Sequence, residues 1–259
     1  MLNEKTILRL VLTATLGTGL VSAAANAAEA DGWTGFYAGA SAGPQFDVSK
    51  WKATSVGPND TYGVDPTTAE QTLDAAHFRL GGFVGWSMLA APGILAGVEG
   101  DIYGLTGPSA VTKPGLPGAS YFGAAPADTI SEGQRYDASL RGRVGTWVDP
   151  DLLLYGTAGV AFRDLFLKGN CPGNGAASWC GVPEAATLSR TLTGWTVGAG
   201  GESRINDRWS VRLEYRYAGY GSTNVSMFGA NNQGADAIGG KVDLNTHIVT
   251  LGVAYHFGM

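Results

Sequence analysis

The chain has 259 residues, a formal net charge of −5, only 15% charged residues, and 40 glycines. That balance argues against nucleic acid or anionic lipid as a main partner, since both want a basic surface. The glycine-rich, charge-poor composition suits a densely turned, strand-rich chain rather than a helical or disordered one, and the length is ample for one domain.

Residues 1–27 read as a secretory signal. Lys5 and Arg9 make a basic start, Ile7 to Leu20 are mostly apolar, and Ala25-Asn26-Ala27 forms a small-x-small cleavage site. A membrane anchor would need a longer apolar run with less Thr and Gly. Cleavage removes Glu4, Lys5 and Arg9 and leaves 15 basic and 21 acidic residues, a net of −6, on residues 28–259. No later stretch approaches the roughly 20 continuous apolar residues of a spanning helix. The exported part therefore stays soluble or crosses a membrane as a closed ring of strands.

Alternation of apolar and polar residues, the period of a strand, then recurs along the chain. Trp33 to Gly43 is the first strand, and Gln45 to Ala76, broken by Pro58, Gly63 and Pro66, reads as a long loop. His77 to Trp86 is the second strand, with Phe78, Leu80, Val84 and Trp86 opposite His77 and Arg79. Pro92-Gly93 turns the chain into Ile94 to Tyr103, which sets Glu99 and Asp101 on one face. Gly104 to Gln134 is a second long loop.

The clearest hairpin follows. From Arg135 onward, Tyr136, Ala138, Leu140, Gly142 and Val144 alternate with Asp137, Ser139, Arg141 and Arg143; Asp149-Pro150-Asp151 turns; and Leu152 to Phe162 returns. Each arm of about 10 residues is enough for a tilted strand to cross a bilayer core of roughly 30 Å. A third long loop, Arg163 to Ser189, holds both cysteines. Thr191 to Arg204 (with Glu202), a short turn, and Trp209 to Tyr217 (with Arg212, Glu214 and Arg216) are the sixth and seventh strands. A fourth loop, Ala218 to Gly240, leads to a last strand, His247 to Phe257.

Connections are long after strands one, three, five and seven and short after two, four and six. That rhythm predicts an all-β, eight-stranded antiparallel up-and-down transmembrane barrel, its short turns periplasmic and its long loops outside. A soluble β-sandwich would also alternate, but it has no need of the rhythm. Nor does it need aromatics near strand ends such as Trp33, Trp86, Tyr103, Trp147, Trp209, Tyr255 and Phe257, which are expected to form interfacial girdles.

Three segments carry a family resemblance: Gly32 to Gly39 (GWTGFYAG), Ser139 to Phe162, and Leu213 to Tyr217 (LEYRY). Together they resemble the small outer-membrane β-barrel proteins of the opacity and alphaproteobacterial surface-antigen type. That likeness implies an OmpA-like eight-stranded barrel in the Gram-negative outer membrane, with roles in envelope integrity, surface contact through the loops, and in some members weak pore activity. Lipid and lipopolysaccharide are the implied surroundings, loop ligands the implied partners, and a monomer the expected state. Barrels of this kind usually end on an aromatic; here Gly258-Met259 follow Phe257.

Arg79, Glu99, Asp101, Arg141, Arg143, Glu202, Arg212, Glu214 and Arg216 fall on inward faces. An eight-stranded barrel is just wide enough for side chains to fill it, and buried charges must be paired. These nine are therefore expected to form a lumen network that closes the barrel, the alternative being a narrow porin-like path or a small-solute site. Cys171 and Cys180, exported to an oxidising compartment, are expected to form a disulfide; without a nearby His they make a poor metal site. His247 shares an outward face with Val249 and Leu251. It matches the histidine of outer-membrane lipid A deacylases in position, but the serine expected two residues on is Val249. No catalytic constellation, cofactor loop or metal set is read from the sequence.

Overall fold

The computed structural model describes residues 32–57, 63–118, 127–173, 180, 182–228 and 237–257. The secretory-signal reading and the terminal Gly258-Met259 lie outside the described residues. Among the described residues, ten strands follow in chain order: β1 Gly35–Val56, β2 Glu70–Thr72, β3 Ala75–Ala91, β4 Ile94–Thr106, β5 Ala110–Pro114, β6 Thr129–Asp149, β7 Leu152–Cys171, β8 Glu184–Arg204, β9 Trp209–Met227 and β10 Ile238–His256. Eight of them, all but β2 and β5, pair antiparallel in sequence order, and β10 pairs with β1 from Tyr37↔His256 to Val56↔Ile238. The ring is closed, so no sheet edge lies within its lower half.

Period-two patterning sorts the side chains. Phe36, Leu80, Val84, Val98, Ile102, Leu140, Val144, Val197, Leu213 and Leu251 point outward and are 43–67% exposed. Such a continuous apolar belt is a lipid-facing surface. Glycines on the inward positions make room for the large rings of the lumen. A Cβ built at Gly85 would stand 2.2 Å from Cζ of Tyr37, and one at Gly200 would stand 2.6 Å from Cζ of Tyr155.

Much of the sequence expected to be loop is strand. The first strand runs to Val56 instead of ending near Gly43, β7 continues to Cys171, β8 begins at Glu184, β9 reaches Met227, and β10 starts at Ile238. Strands of 19–22 residues far exceed the 9–11 a bilayer needs. Because the turns at 92–93, 150–151 and 205–208 hold one end level, the surplus all projects from the other. Serine, threonine and lysine on the outward face of this surplus hid it from a search for apolar alternation.

Three aromatics assigned to the interfacial girdles are inside, one being the half-buried Trp147, which sits opposite Leu153 and packs against the Trp33 cluster. Trp33 is 1% exposed and packs with Leu95, Leu153 and Tyr155 at the short-turn end; Tyr103 is 3% exposed and shares its face with Glu99 and Asp101. Trp86, Trp209 and Phe257 do face outward, at 38%, 44% and 64% exposed. Trp209 and Phe257 both meet the Tyr255 ring, with centroids about 5 Å apart.

The surplus half of the barrel is not a simple ring. β3 and β4 stop pairing above Phe78↔Thr106, and β8 and β9 stop above Trp195↔Gly219. β2 continues the line of β3 along β1, and β5 continues that of β4 along β6. Two curved sheets result, β9-β10-β1-β2 facing β5-β6-β7-β8. An apolar core lies between them: Trp51, Val225, Ile238, Val242 and Leu244 on one side, Ile130, Leu165, Leu167, Cys171 and Leu192 on the other. The upper half is a two-sheet head standing on a barrel.

Cys171 and Cys180 are joined, with Cα atoms 5.9 Å apart, at the rim of this head. Closing about 10 residues restricts the unfolded chain by roughly 2–3 kcal/mol on the loop-entropy estimate. Replacing both cysteines by serine is expected to speed proteolytic cutting between β7 and β8 while leaving the heat-modifiable gel shift of the barrel unchanged. A lost gel shift would show that the barrel itself depends on the bond.

Candidate functional site

The lower lumen is filled by charge. Every inward position named from the sequence is buried: Arg79, Glu99, Asp101, Arg141, Arg143, Glu202, Arg212, Glu214 and Arg216 are all at most 6% exposed. They come from β3, β4, β6, β8 and β9, and strand parity alone brings them together.

Nearest the short turns, Glu202 pairs with Arg143 and accepts hydrogen bonds from the Ser210 hydroxyl at 2.5 Å; His256 Nε2 is 3.2 Å from the same carboxylate. The Arg143 guanidinium lies 3.8 Å from the centre of the Tyr155 ring. Above this level Glu99 accepts from Arg141 Nη2 and from Arg212 Nη1, each at 2.5 Å, and from the Tyr37 hydroxyl at 3.0 Å. Arg141 also donates to Glu214 at 2.7 Å and to Asp101 at 2.9 Å, so one guanidinium serves three carboxylates. Glu214 accepts in addition from the Tyr155 hydroxyl at 3.1 Å.

Higher still, Arg216 donates to Asp101 at 2.8 Å and stands 3.7 Å from Asp137, which Arg79 engages at 2.7 Å. Arg79 stacks over Tyr103 at 3.8 Å. Gln45 and Gln134 then bridge to Asp47, whose two oxygens accept from Arg163 at 2.7 Å each, a bidentate fork. Thr246 of β10 joins at 2.9 Å. Through these bonds all eight barrel strands are tied side chain to side chain.

Sequence reading missed part of this network. Asp47 and Arg163 fell in stretches read as loop; carrying the alternation of β1 two residues at a time past Pro44 would have placed Gln45, Asp47 and Ser49 inward. Asp137 was on the correct face but unassigned. His77 and His256 showed no partner spacing, yet His256 meets Glu202 and His77 Nε2 stands 3.9 Å from Asp47; such partners lie across strands and leave no local pattern. His247 faces outward, its Nδ1 2.8 Å from the Tyr215 hydroxyl. Among the described residues no cluster of His, Cys, Asp and Glu could hold a metal ion.

What the arrangement does physically is cross-link the strands. Six buried arginines, each held by one or more carboxylates, fill the lower lumen with paired charge. Buried pairs of this kind are strongly interdependent, since removing one member strands the other.

Similar proteins share the architecture. A 31 kDa outer-membrane immunogenic protein of Brucella melitensis is 28% identical over 234 residues, covering 87% of this chain and 84% of its own length. A 25 kDa outer-membrane immunogenic protein of Brucella canis is 27% identical over 88% of this chain and 79% of its own. Among solved structures, the outer membrane protein OprG from Pseudomonas aeruginosa superposes with a TM-score of 0.50 at 11% identity, covering 87% of this chain and 97% of OprG, a likeness of fold alone. Residues 13–257 match the outer membrane protein beta-barrel domain family. The chain belongs to that family and is a β-barrel protein of the Gram-negative outer membrane.

Proposed function

We propose that this protein is a non-enzymatic structural and surface-display barrel: it strengthens the outer membrane and presents its two-sheet head and loops outside the cell. The observation that supports this most is the network of buried charges, which ties all eight strands together and fills the lower lumen with paired charge. The Brucella relatives are named as immunogenic outer-membrane proteins, which fits a surface that the outside world meets. Lipid and lipopolysaccharide surround the apolar belt, extracellular ligands meet the head, and the barrel works as a monomer without a cofactor. Residues 1–27 direct export and are removed.

Topology tests the reading. Epitope tags inserted within 58–62 or 231–234 are expected to be labelled by antibody on intact cells, and a tag at Asp149–Asp151 only after the outer membrane is opened. Labelling of the Asp149–Asp151 tag alone on intact cells would invert the orientation and remove the display role.

A further inference from the structure

Among the described residues, the head leaves two strand edges without a ladder partner. β8 is bonded to β7 along its whole length, yet pairs with β9 only from Trp195 downward. β9 above Gly219 is bonded to β10 alone, after a bulge at Leu244/Asn245 and a left-handed Gly221 at φ 64°. Among the described residues, Glu184–Thr193 of β8 and Tyr220–Met227 of β9 therefore face one another across a seam with no ladder. The seam is bridged by the long Arg190 side chain, whose Nη1 donates to the backbone oxygen of Asn224 at 3.0 Å. The corresponding seam between β2 and β5 is covered instead by backbone bonds from Gly118 to Thr68 and from Asp65 to Gly118.

Open edges are sites of strand addition, and natural proteins guard them with lysine, proline or bulges. Residues 184–193, EAATLSRTLT, contain no proline and no lysine, and Thr187, Ser189, Thr191 and Thr193 are exposed. Backbone N–H and C=O groups of a strand lie in the plane of its sheet, so the edge groups of β8 and β9 are directed along the wall toward the seam. An extended segment meets such an edge with backbone hydrogen bonds. The flanks are cationic. Arg190, Lys168 and Lys241 are exposed, with Lys168 beside Thr187 and Lys241 beside Asn224 in register. Arg135 is also exposed and donates to Ser189 Oγ at 2.8 Å. Of the neighbouring acids, Glu184 at the start of the β8 stretch is buried, Asp164 is engaged by Arg135, and Asp243 accepts from Ser222 and Asn245.

We propose that the β8–β9 seam of the head is a docking slot for an extended, acidic polypeptide segment of another protein, which adds as a strand along β8 and displaces the Arg190 bridge. It rests on the display reading only in taking the head to be outside the cell. The test is on purified full-length protein in detergent micelles, where orientation has no bearing, so it fails or succeeds independently of the tag experiment. The probe is a fluorescein-labelled octapeptide, Glu-Thr-Val-Glu-Val-Thr-Val-Glu, followed by fluorescence anisotropy. Saturable binding is expected. It should weaken at least 10-fold when alternate amides on one edge of the peptide are N-methylated, because strand addition is held by backbone hydrogen bonds. It should also weaken at least 10-fold when lysine replaces each glutamate. R190E, checked for its gel shift, is expected to weaken the acidic probe and to strengthen the lysine version. Absence of saturable binding, or binding indifferent to N-methylation of either edge, would overturn the proposal.

Discussion

Arg141→Ala is expected to lower the stability of the barrel by about 3–5 kcal/mol, the range for breaking a buried ion pair by deleting one partner. Arg141 is 1% exposed and donates to Glu99, Asp101 and Glu214 at once. After its removal Glu99 keeps Arg212, Asp101 keeps Arg216, and Glu214 keeps only the Tyr155 hydroxyl among these direct bonds. Glu214 is therefore left with the greatest deficit. The measurement is the temperature at which the compact gel species converts to the slow one, compared with Arg135→Ala. Arg135 has 59% of its side chain exposed, and surface pairs of this sort contribute at most about 1 kcal/mol. Equal effects of the two substitutions would show that the lumen is wet enough to screen its charges.

Trp51→Ala should be as damaging, but elsewhere. Trp51 is 1% exposed in the head core, and among the described residues its indole nitrogen has no hydrogen-bond partner. Its contribution is then packing alone, and Trp→Ala truncations in cores cost about 3–5 kcal/mol. Because the head core is separate from the charged lumen below it, the expected phenotype is local. Limited proteolysis should cut the head between the ends of β9 and β10 and between β1 and β2, while the membrane-spanning lower strands survive as a protected, heat-modifiable core. If Trp51→Ala instead lowered the melting of the whole barrel with no change in head proteolysis, the two halves would be one cooperative unit.

The lower barrel was legible in the sequence because lipid imposes a simple rule: apolar residues outward, everything else inward. Leu140, Val144, Leu213 and Leu251 announce that rule, and the charges between them follow by parity. The head obeys no such rule. Its outer face meets water, so Lys50, Lys52 and Thr54 alternate with Trp51 and Ala53 in a stretch that reads as polar loop, and the strand in it is visible only by reversing the sense of the alternation. The partners inside the lumen were legible as a set but not as pairs. Which arginine meets which carboxylate depends on strand tilt and register across the ring, and no local spacing encodes that Arg212 of β9 reaches Glu99 of β4. Trp33, Tyr103 and Trp147 face inward because strand parity and packing, not position near a strand end, decide the face. In Tyr103 parity was decisive, since it lies two residues beyond Asp101.

Single-channel recording of the purified protein in planar bilayers tests the central claim most directly, because the charge network either closes the lumen or lines it. The wild type is expected to show no steady conductance, and Glu214→Ala, which frees Arg141 from one of its three carboxylates, is expected to show brief ion-conducting openings. A wide, stable wild-type conductance that Glu214→Ala leaves unchanged, with no loss of thermal stability, would contradict the closed lumen and make this inward face the wall of an open channel.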